Sequence, residues 1–390
     1  MTLNDLAIFG NKPAFDTILH VGRPNIGDRA KLHEALDKML DRKWLTNDGP
    51  YVQVLENKVK ELLGVKQCVA VANGTLGLEI AARSLFSAGH VIVPSFTFIA
   101  TASALDWVWL KPVFADIDPR THVLDPEDVE ARITEDTVGI LGVHVWGTPC
   151  APLSLEAIAK RHGVKVFFDA AHAFDCQHMG TQIGNFGECE VFSLHATKFF
   201  NSFEGGLITT NDCELAVKLR RLRNFGFVGD GTHSVVSAGT NAKMSEIHAA
   251  AALVNLESLG EFESQNASNY TYYREWLPEG LRLYPLERAS NYQYIVIEVM
   301  EGPLTADNLR NILWAENVHA RRYFAPPCHK VYRARYNLPN TDLVSSRVLV
   351  LPTGMAVERQ DIMKICEIIA YCMDNAEEIA ERLKNEREVV

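Results

Sequence analysis

The feature that most constrains the fold of this chain is the alternation of β-rich runs with helical stretches between residues 68 and 210. Seven runs read as strands: Cys68–Ala72, Val91–Pro94, Val113–Asp116, Val138–His144, Val164–Asp169, Val191–Leu194 and Leu207–Thr210. Helical spacing lies between them at 75–86, 97–109, 126–134 and 154–162. This alternation builds an α/β domain with a mostly parallel seven-stranded sheet covered by helices on both faces. The nearly continuous apolar character of Val91-Ile92-Val93 and Val164–Phe168 suits strands buried on both sides. Upstream, 28–43 and 50–63 carry helical spacing, and Gly64 is placed to end the second of these helices.

After about residue 255 the pattern changes. A glutamate-rich helical stretch leads to a strand at Gln293–Val299, a helix at 305–316, strands near 318–323 and 347–351, and a last helix from about 358. The expected organisation is therefore an N-terminal segment (1–30), a large domain (31–255) and a smaller C-terminal α+β domain (256–390). A length of 390 residues fits such a division, because one core rarely grows that far.

Charge and cysteine usage narrow the function. A net charge of -11 argues against a nucleic-acid or anionic-membrane partner, since phosphate surfaces select basic faces. It says nothing against a local anion pocket. The eight cysteines are scattered without a C-x-x-C pair, and no H-E-x-x-H occurs, so reduced thiols, a cytoplasmic location and no metal site are expected. The first residues lack a signal-peptide pattern, and no apolar run is long enough to span a bilayer.

In open α/β sheets ligands gather at the carboxyl ends of the strands, and three such ends carry reactive groups. Asn73-Gly74-Thr75 follows the first run and opens a helix, where free N–H groups, a hydroxyl and a small residue can seat a phosphate. Alone it reads as readily as a capped turn. Phe168-Asp169-Ala170-Ala171-His172 ends an apolar strand in an acid, which needs a cationic partner such as a protonated pyridine nitrogen, or else merely caps the next helix. Ser193-Leu194-His195-Ala196-Thr197-Lys198 precedes Glu204-Gly205-Gly206. A desolvated lysine there is a nucleophile or base; its plain alternative is a solvated loop lysine. A phosphate seat, an acid and a lysine at strand ends of one sheet are together the set that pyridoxal phosphate requires.

At these residues the sequence resembles the DegT/DnrJ/EryC1/StrS family of sugar aminotransferases, pyridoxal-phosphate enzymes of fold type I. The likeness runs from Trp44-Leu45-Thr46-Asn47-Asp48-Gly49-Pro50 to Leu351-Pro352, and S-L-H-A-T-K with E-G-G and D-A-A-H is its most specific part. The resemblance implies that Lys198 forms the Schiff base and shuttles protons, and that Asp169 pairs with the pyridine nitrogen. It further implies that His172 bonds the 3-oxygen, Phe98 stacks on the cofactor face, and Gly74, Thr75 and Ser193 bind phosphate. Asn241, in Gly239-Thr240-Asn241-Ala242-Lys243-Met244-Ser245, would reach the phosphate of a neighbouring subunit, making a homodimer with shared sites. Asn47 and Tyr323, the latter in Ala320-Arg321-Arg322-Tyr323-Phe324, would lie near the sugar; Tyr323 reads equally as packing. Two departures stand out: His144-Val145-Trp146-Gly147 where many relatives have H-L-Y-G, and an insertion-like Phe199–Phe203.

The implied reaction takes an amino group from L-glutamate, releases 2-oxoglutarate, and delivers the amine to a nucleotide-linked keto-deoxy sugar, a dTDP- or UDP-4-keto-6-deoxyhexose. A lysine rather than histidine at 198 argues against the related dehydration. Other readings are a 3-keto sugar aminotransferase, an aldolase or desulfurase of the same fold acting on amino acids, and a non-catalytic cofactor-binding sensor or scaffold. A nucleotide-dependent dehydrogenase lacks its G-x-G-x-x-G after the first strand.

Overall fold

A computed structural model of the chain describes residues 2–229, 234–286 and 289–388, with side chains described as far as residue 385. Seven strands form the large sheet: β1 (Gln67–Val71), β2 (His90–Pro94), β3 (Lys111–Ala115), β4 (Thr137–Val143), β5 (Lys165–Asp169), β6 (Glu190–Ser193) and β7 (Gly206–Thr210). Their order is β1-β7-β6-β5-β4-β2-β3. Every pairing from β6 to β3 is parallel, whereas β7 runs antiparallel to both β6 and β1. Each expected strand is present within one or two residues at each end.

The burial of these strands explains their composition. After its first residue, β5 is buried throughout, as sequence continuity in apolar residues requires. Helices Pro50–Leu63 and Pro152–His162 cover one face with Val52, Leu55, Val59, Leu155 and Ile158. Helices Gly74–Leu85, Ile99–Trp107 and Cys213–Leu222 cover the other with Leu78, Leu105, Leu215 and Leu219. The expected helix at 126–134 is shorter, Pro126–Ala131, capped by Asp125, whose side chain accepts from the Glu127 N–H.

The second lobe holds a three-stranded antiparallel sheet of β8 (Leu281–Leu283), β9 (Ile295–Val299) and β10 (Val348–Leu351), with β9 in the middle. Helices Ala306–Ala315 and Arg359–Asp374 pack on it through Leu309, Ile312, Ile362 and Ile365. The expected strand at 318–323 is reduced to Val318–His319, followed by a single bridge from Arg321 to Val350. Val318–His319 pairs instead with Leu19–His20, in parallel. The N-terminal segment thus packs as part of this lobe: Leu6, Phe15 and Leu19 join its core, and Ala7 and Ala14 N–H donate to the buried Glu316 carboxylate at 2.7 and 2.8 Å. Helix Leu259–Trp276 ties the lobes together, with Phe262 in the core of the first and Tyr273 in that of the second.

The insertion-like Phe199–Phe203 is no surface loop. Phe199 and Phe200 are buried, and the Phe199 N–H donates to Gln293 Oε1 at 3.0 Å, fastening the chain just after Lys198 to the second lobe. All eight cysteines are free thiols, seven of them buried. Among the described residues no group of His, Cys, Asp or Glu could hold a metal, and no helix is long and apolar enough to cross a membrane.

Candidate active site

The antiparallel placement of β7 creates the site. Gly206, its first residue, is in register with both Val71 and Ser193, so the carboxyl ends of β1 and β6 flank one point. A side chain there would put its Cβ 2.7 Å from the Asn73 carbonyl carbon and 2.8 Å from Gly74 N, so only glycine lets β7 lie against the start of helix Gly74–Leu85. Asn73 caps that helix by accepting from the Leu76 N–H at 2.9 Å. Asn73-Gly74-Thr75 is therefore a capped turn, and it also opens a helix N-terminus onto a cavity.

That cavity measures about 730 Å³ and is lined by Gly74, Thr75, Phe98, Asp169, His172, Ser193, Lys198 and Tyr323. Eight of the ten residues singled out in the sequence thus converge. Gly74 sits against Ser193, where an added Cβ would lie 3.1 Å from the serine Cβ. Phe98, at the start of helix Ile99–Trp107, is 58% exposed, a large apolar ring left uncovered inside the cavity.

Asp169 ends β5 and is buried. Its carboxylate accepts from Thr101 Oγ1 at 2.8 Å and from the Ala171 N–H at 3.0 Å. Burial raises it above the usual carboxylate range, while these donors and the charge of Lys198 pull it back. Its hydrogen-bonding thus leaves room for a cationic N–H.

Lys198 follows β6, its Nζ 3.3 Å from the hydroxyl of Tyr294, to which it donates. Desolvation lowers the amine from 10.5 to about 8, opposed by Asp169. Burial also holds the Tyr294 phenol well above its ordinary range, so it stays protonated and can donate in turn to the neutral amine. His172 receives the Trp146 N–H on Nδ1 at 3.3 Å, which leaves Nε2 as the protonated, donating nitrogen. Burial keeps this imidazole well below the ordinary histidine value and hence neutral. Trp146 and Phe324 stack close to parallel with its ring.

Asn47 and Asn241 do not line the cavity of their own chain. Both are exposed. Their chain neighbours are joined through Arg223, whose guanidinium pairs with Asp48 at 3.0 Å and whose carbonyl accepts from the Ala242 N–H. Sequence reasoning missed Tyr294, Thr101 and Arg321. Thr101 lies within the helix expected at 97–109, one turn beyond Thr97, which its hydroxyl meets at 2.8 Å; that spacing was a usable signal. Tyr294 and Arg321 come from the second lobe, and no local pattern points them at Lys198.

A lysine with a lowered pKa and a buried acid in one cavity, beside a helix N-terminus, are the groups a pyridoxal-phosphate enzyme of fold type I requires, and comparison with known proteins makes this one an aminotransferase. The DegT/DnrJ/EryC1/StrS aminotransferase family model matches residues 27–370, and the chain belongs to that family. It is 36% identical to the dTDP-4-amino-4,6-dideoxy-D-glucose transaminase of Shigella dysenteriae, over 87% of this chain and 94% of that one. It is 32% identical to a UDP-N-acetyl-3-dehydro-alpha-D-glucosamine 3-aminotransferase of Acidithiobacillus ferrooxidans, covering 83% and 88%. Among solved structures, DesI, crystallised in the presence of its TDP-sugar product, superposes with a TM-score of 0.94 at 44% identity, covering 98% of this chain and all of that one.

Proposed function

We propose that this enzyme moves an amino group from L-glutamate to the C4 carbonyl of a dTDP-linked 4-keto-6-deoxyhexose, in two half-reactions at one site. The observation that carries the reading is the shared cavity of Lys198 and Asp169, in a chain whose curated relatives include 4-amino-dideoxyglucose transaminases. The residues fit the cofactor: a buried carboxylate with room for a cation, a helix N-terminus beside Ser193 for the phosphate, and an uncovered phenyl ring. Pyridoxal phosphate, when bound, supplies an aldehyde that condenses with amines and a ring that withdraws electrons from the reacting carbon.

In this reading Lys198 would hold the cofactor through its amine and, once free, would carry a proton between the donor Cα and the cofactor's C4′. An amine near pKa 8 can serve in both directions at neutral pH. Asp169 keeps the pyridine nitrogen protonated, and His172 donates from Nε2 to the 3-oxygen. Gly74, Thr75 and Ser193 hold the phosphate, and Phe98 covers the ring. Asn241 and Asn47, exposed and with their chain neighbours joined through Arg223, serve the second site of a homodimer. Mixing Lys198→Ala with Asn241→Ala subunits then restores activity through hybrid dimers with one intact site. We assign the enzyme to the cytoplasm, and its product to amino-sugar donors for glycans such as O-antigen.

The 3-aminotransferase relative keeps C3 amination as the second reading. Spectra of the cofactor-loaded enzyme separate the two. Glutamate bleaches the visible band, and a dTDP-4-keto-6-deoxy sugar restores it with formation of an amino sugar. A protein indifferent to glutamate, or restored by 3-keto sugars alone, sinks the proposal.

A further inference from the structure

Beyond the cofactor set, the cavity carries a cation that this chemistry does not use. Arg321 lines the cavity and is exposed. Its Nη1 donates to Tyr323 Oη at 3.0 Å, and among the described residues no carboxylate pairs with it. The backbone around it is fixed: Arg321 exchanges both main-chain hydrogen bonds with Val350 of β10, at 2.9 and 2.8 Å.

Val318 and Ala320 are fully buried, and the Ala320 N–H closes a tight turn onto the Val318 carbonyl at 2.9 Å, with the half-buried His319 at its apex and the exposed Arg321 just after it. His319 is in register with the exposed His20, their ring centroids 5.1 Å apart, edge to face. Trp314 stacks on His319 at 4.9 Å and 20°. Partial burial, then the nearness of His20 and Arg321, lowers the His319 pKa. Arg321 thus lines the cavity with His319 and His20 beside it, outside the lining, and no acid stands among the three.

We propose that Arg321, with His319 and His20 behind it, is the anchor for the diphosphate of the nucleotide-sugar substrate. This rests on the nucleotide-sugar reading and deepens it. A guanidinium with free N–H groups matches phosphate oxygens in a two-pronged way, and the two imidazoles extend the track over a second phosphate. Position favours the diphosphate over the α-carboxylate of the amino donor. That carboxylate is bonded to the very carbon that reacts, beside Lys198. The diphosphate is held away from the reacting carbonyl by the width of the pyranose ring, which suits a cavity-lining arginine that is itself exposed.

The test is calorimetric titration of dTDP, without sugar, into the cofactor-loaded enzyme. Arg321→Gln weakens dTDP binding about 10- to 100-fold, the range expected for loss of hydrogen bonds to a charged group. His319→Gln weakens it severalfold, and the salt dependence of binding flattens in Arg321→Gln. Should Arg321→Gln fail to fold or to load cofactor, Arg321→Lys takes its place, keeping the charge without the fork and losing severalfold. Undiminished dTDP binding by the arginine variant overturns the anchor and leaves the nucleotide-sugar reading standing. Undiminished dTDP binding with a raised KM for glutamate overturns it in favour of a carboxylate seat. A wild-type enzyme that binds neither dTDP nor UDP contradicts the nucleotide-sugar reading itself.

Discussion

An amine lowered from 10.5 to about 8 changes what Lys198 can do at neutral pH, and the change is measurable in the cofactor-free protein. At pH 7 a lysine titrating near 8 is about one-tenth neutral, against roughly one part in three thousand for an ordinary lysine, a gain of about 300-fold in the reactive form. Brief competitive labelling with acetic anhydride at a series of pH values, read by peptide mass spectrometry, reports that fraction for Lys198 alone. The rate climbs about tenfold per pH unit and levels off near pH 8, while surface lysines go on climbing toward 10. The sign of the acid's effect is fixed as well. Asp169 stabilises the ammonium, so Asp169→Asn moves the plateau to lower pH. A Lys198 rate that still rises through pH 10, or a plateau shifted upward in Asp169→Asn, refutes the claim that desolvation primes this amine.

Three further outcomes follow from the geometry. Asp169→Asn removes the carboxylate proposed to hold the pyridine proton and lowers kcat/KM by roughly 10- to 100-fold or more, the scale of a lost charge-assisted hydrogen bond; steady-state kinetics at saturating cofactor reads it. Gly74→Ala brings a methyl to 3.1 Å from the Ser193 Cβ and crowds the proposed phosphate seat, so cofactor affinity falls while the protein stays folded; equilibrium fluorescence titration measures it. Arg223 is buried between Glu56, at 2.7 Å, and Asp48, at 3.0 Å. Arg223→Met leaves Glu56 with Arg220 and the Ala70 N–H and costs about 3 kcal/mol in urea unfolding of the apoprotein, near the low end for breaking a buried pair.

Much of the first lobe was legible because its strands are buried on both faces and must be apolar for nearly their whole length. That made β1 to β7 visible, and with them the strand ends that carry Gly74, Asp169, Ser193 and Lys198. The order of the sheet was not visible, since nothing local in Leu207–Thr210 announces that β7 runs antiparallel between β1 and β6. The second lobe was harder to read. The run at 318–323 looks like one strand, yet only Val318–His319 finds a full partner, and that partner is Leu19–His20, some three hundred residues away. Long-range pairing of this kind leaves no trace in periodicity. The same distance hides Tyr294 and Arg321, which reach the cavity only because β9 and the segment beside β10 close over it. Thr101, which donates to Asp169, lies four residues beyond Thr97 in the helix expected at 97–109 and could have been found from that spacing.

The most direct measurement of the central claim is reduction of the cofactor-loaded enzyme with borohydride, followed by digestion and peptide mass mapping. The account requires one pyridoxyl adduct per chain, on the peptide carrying Lys198, and its disappearance after prior conversion with glutamate. An adduct on another lysine, or a colourless protein that takes up no pyridoxal phosphate, would contradict it.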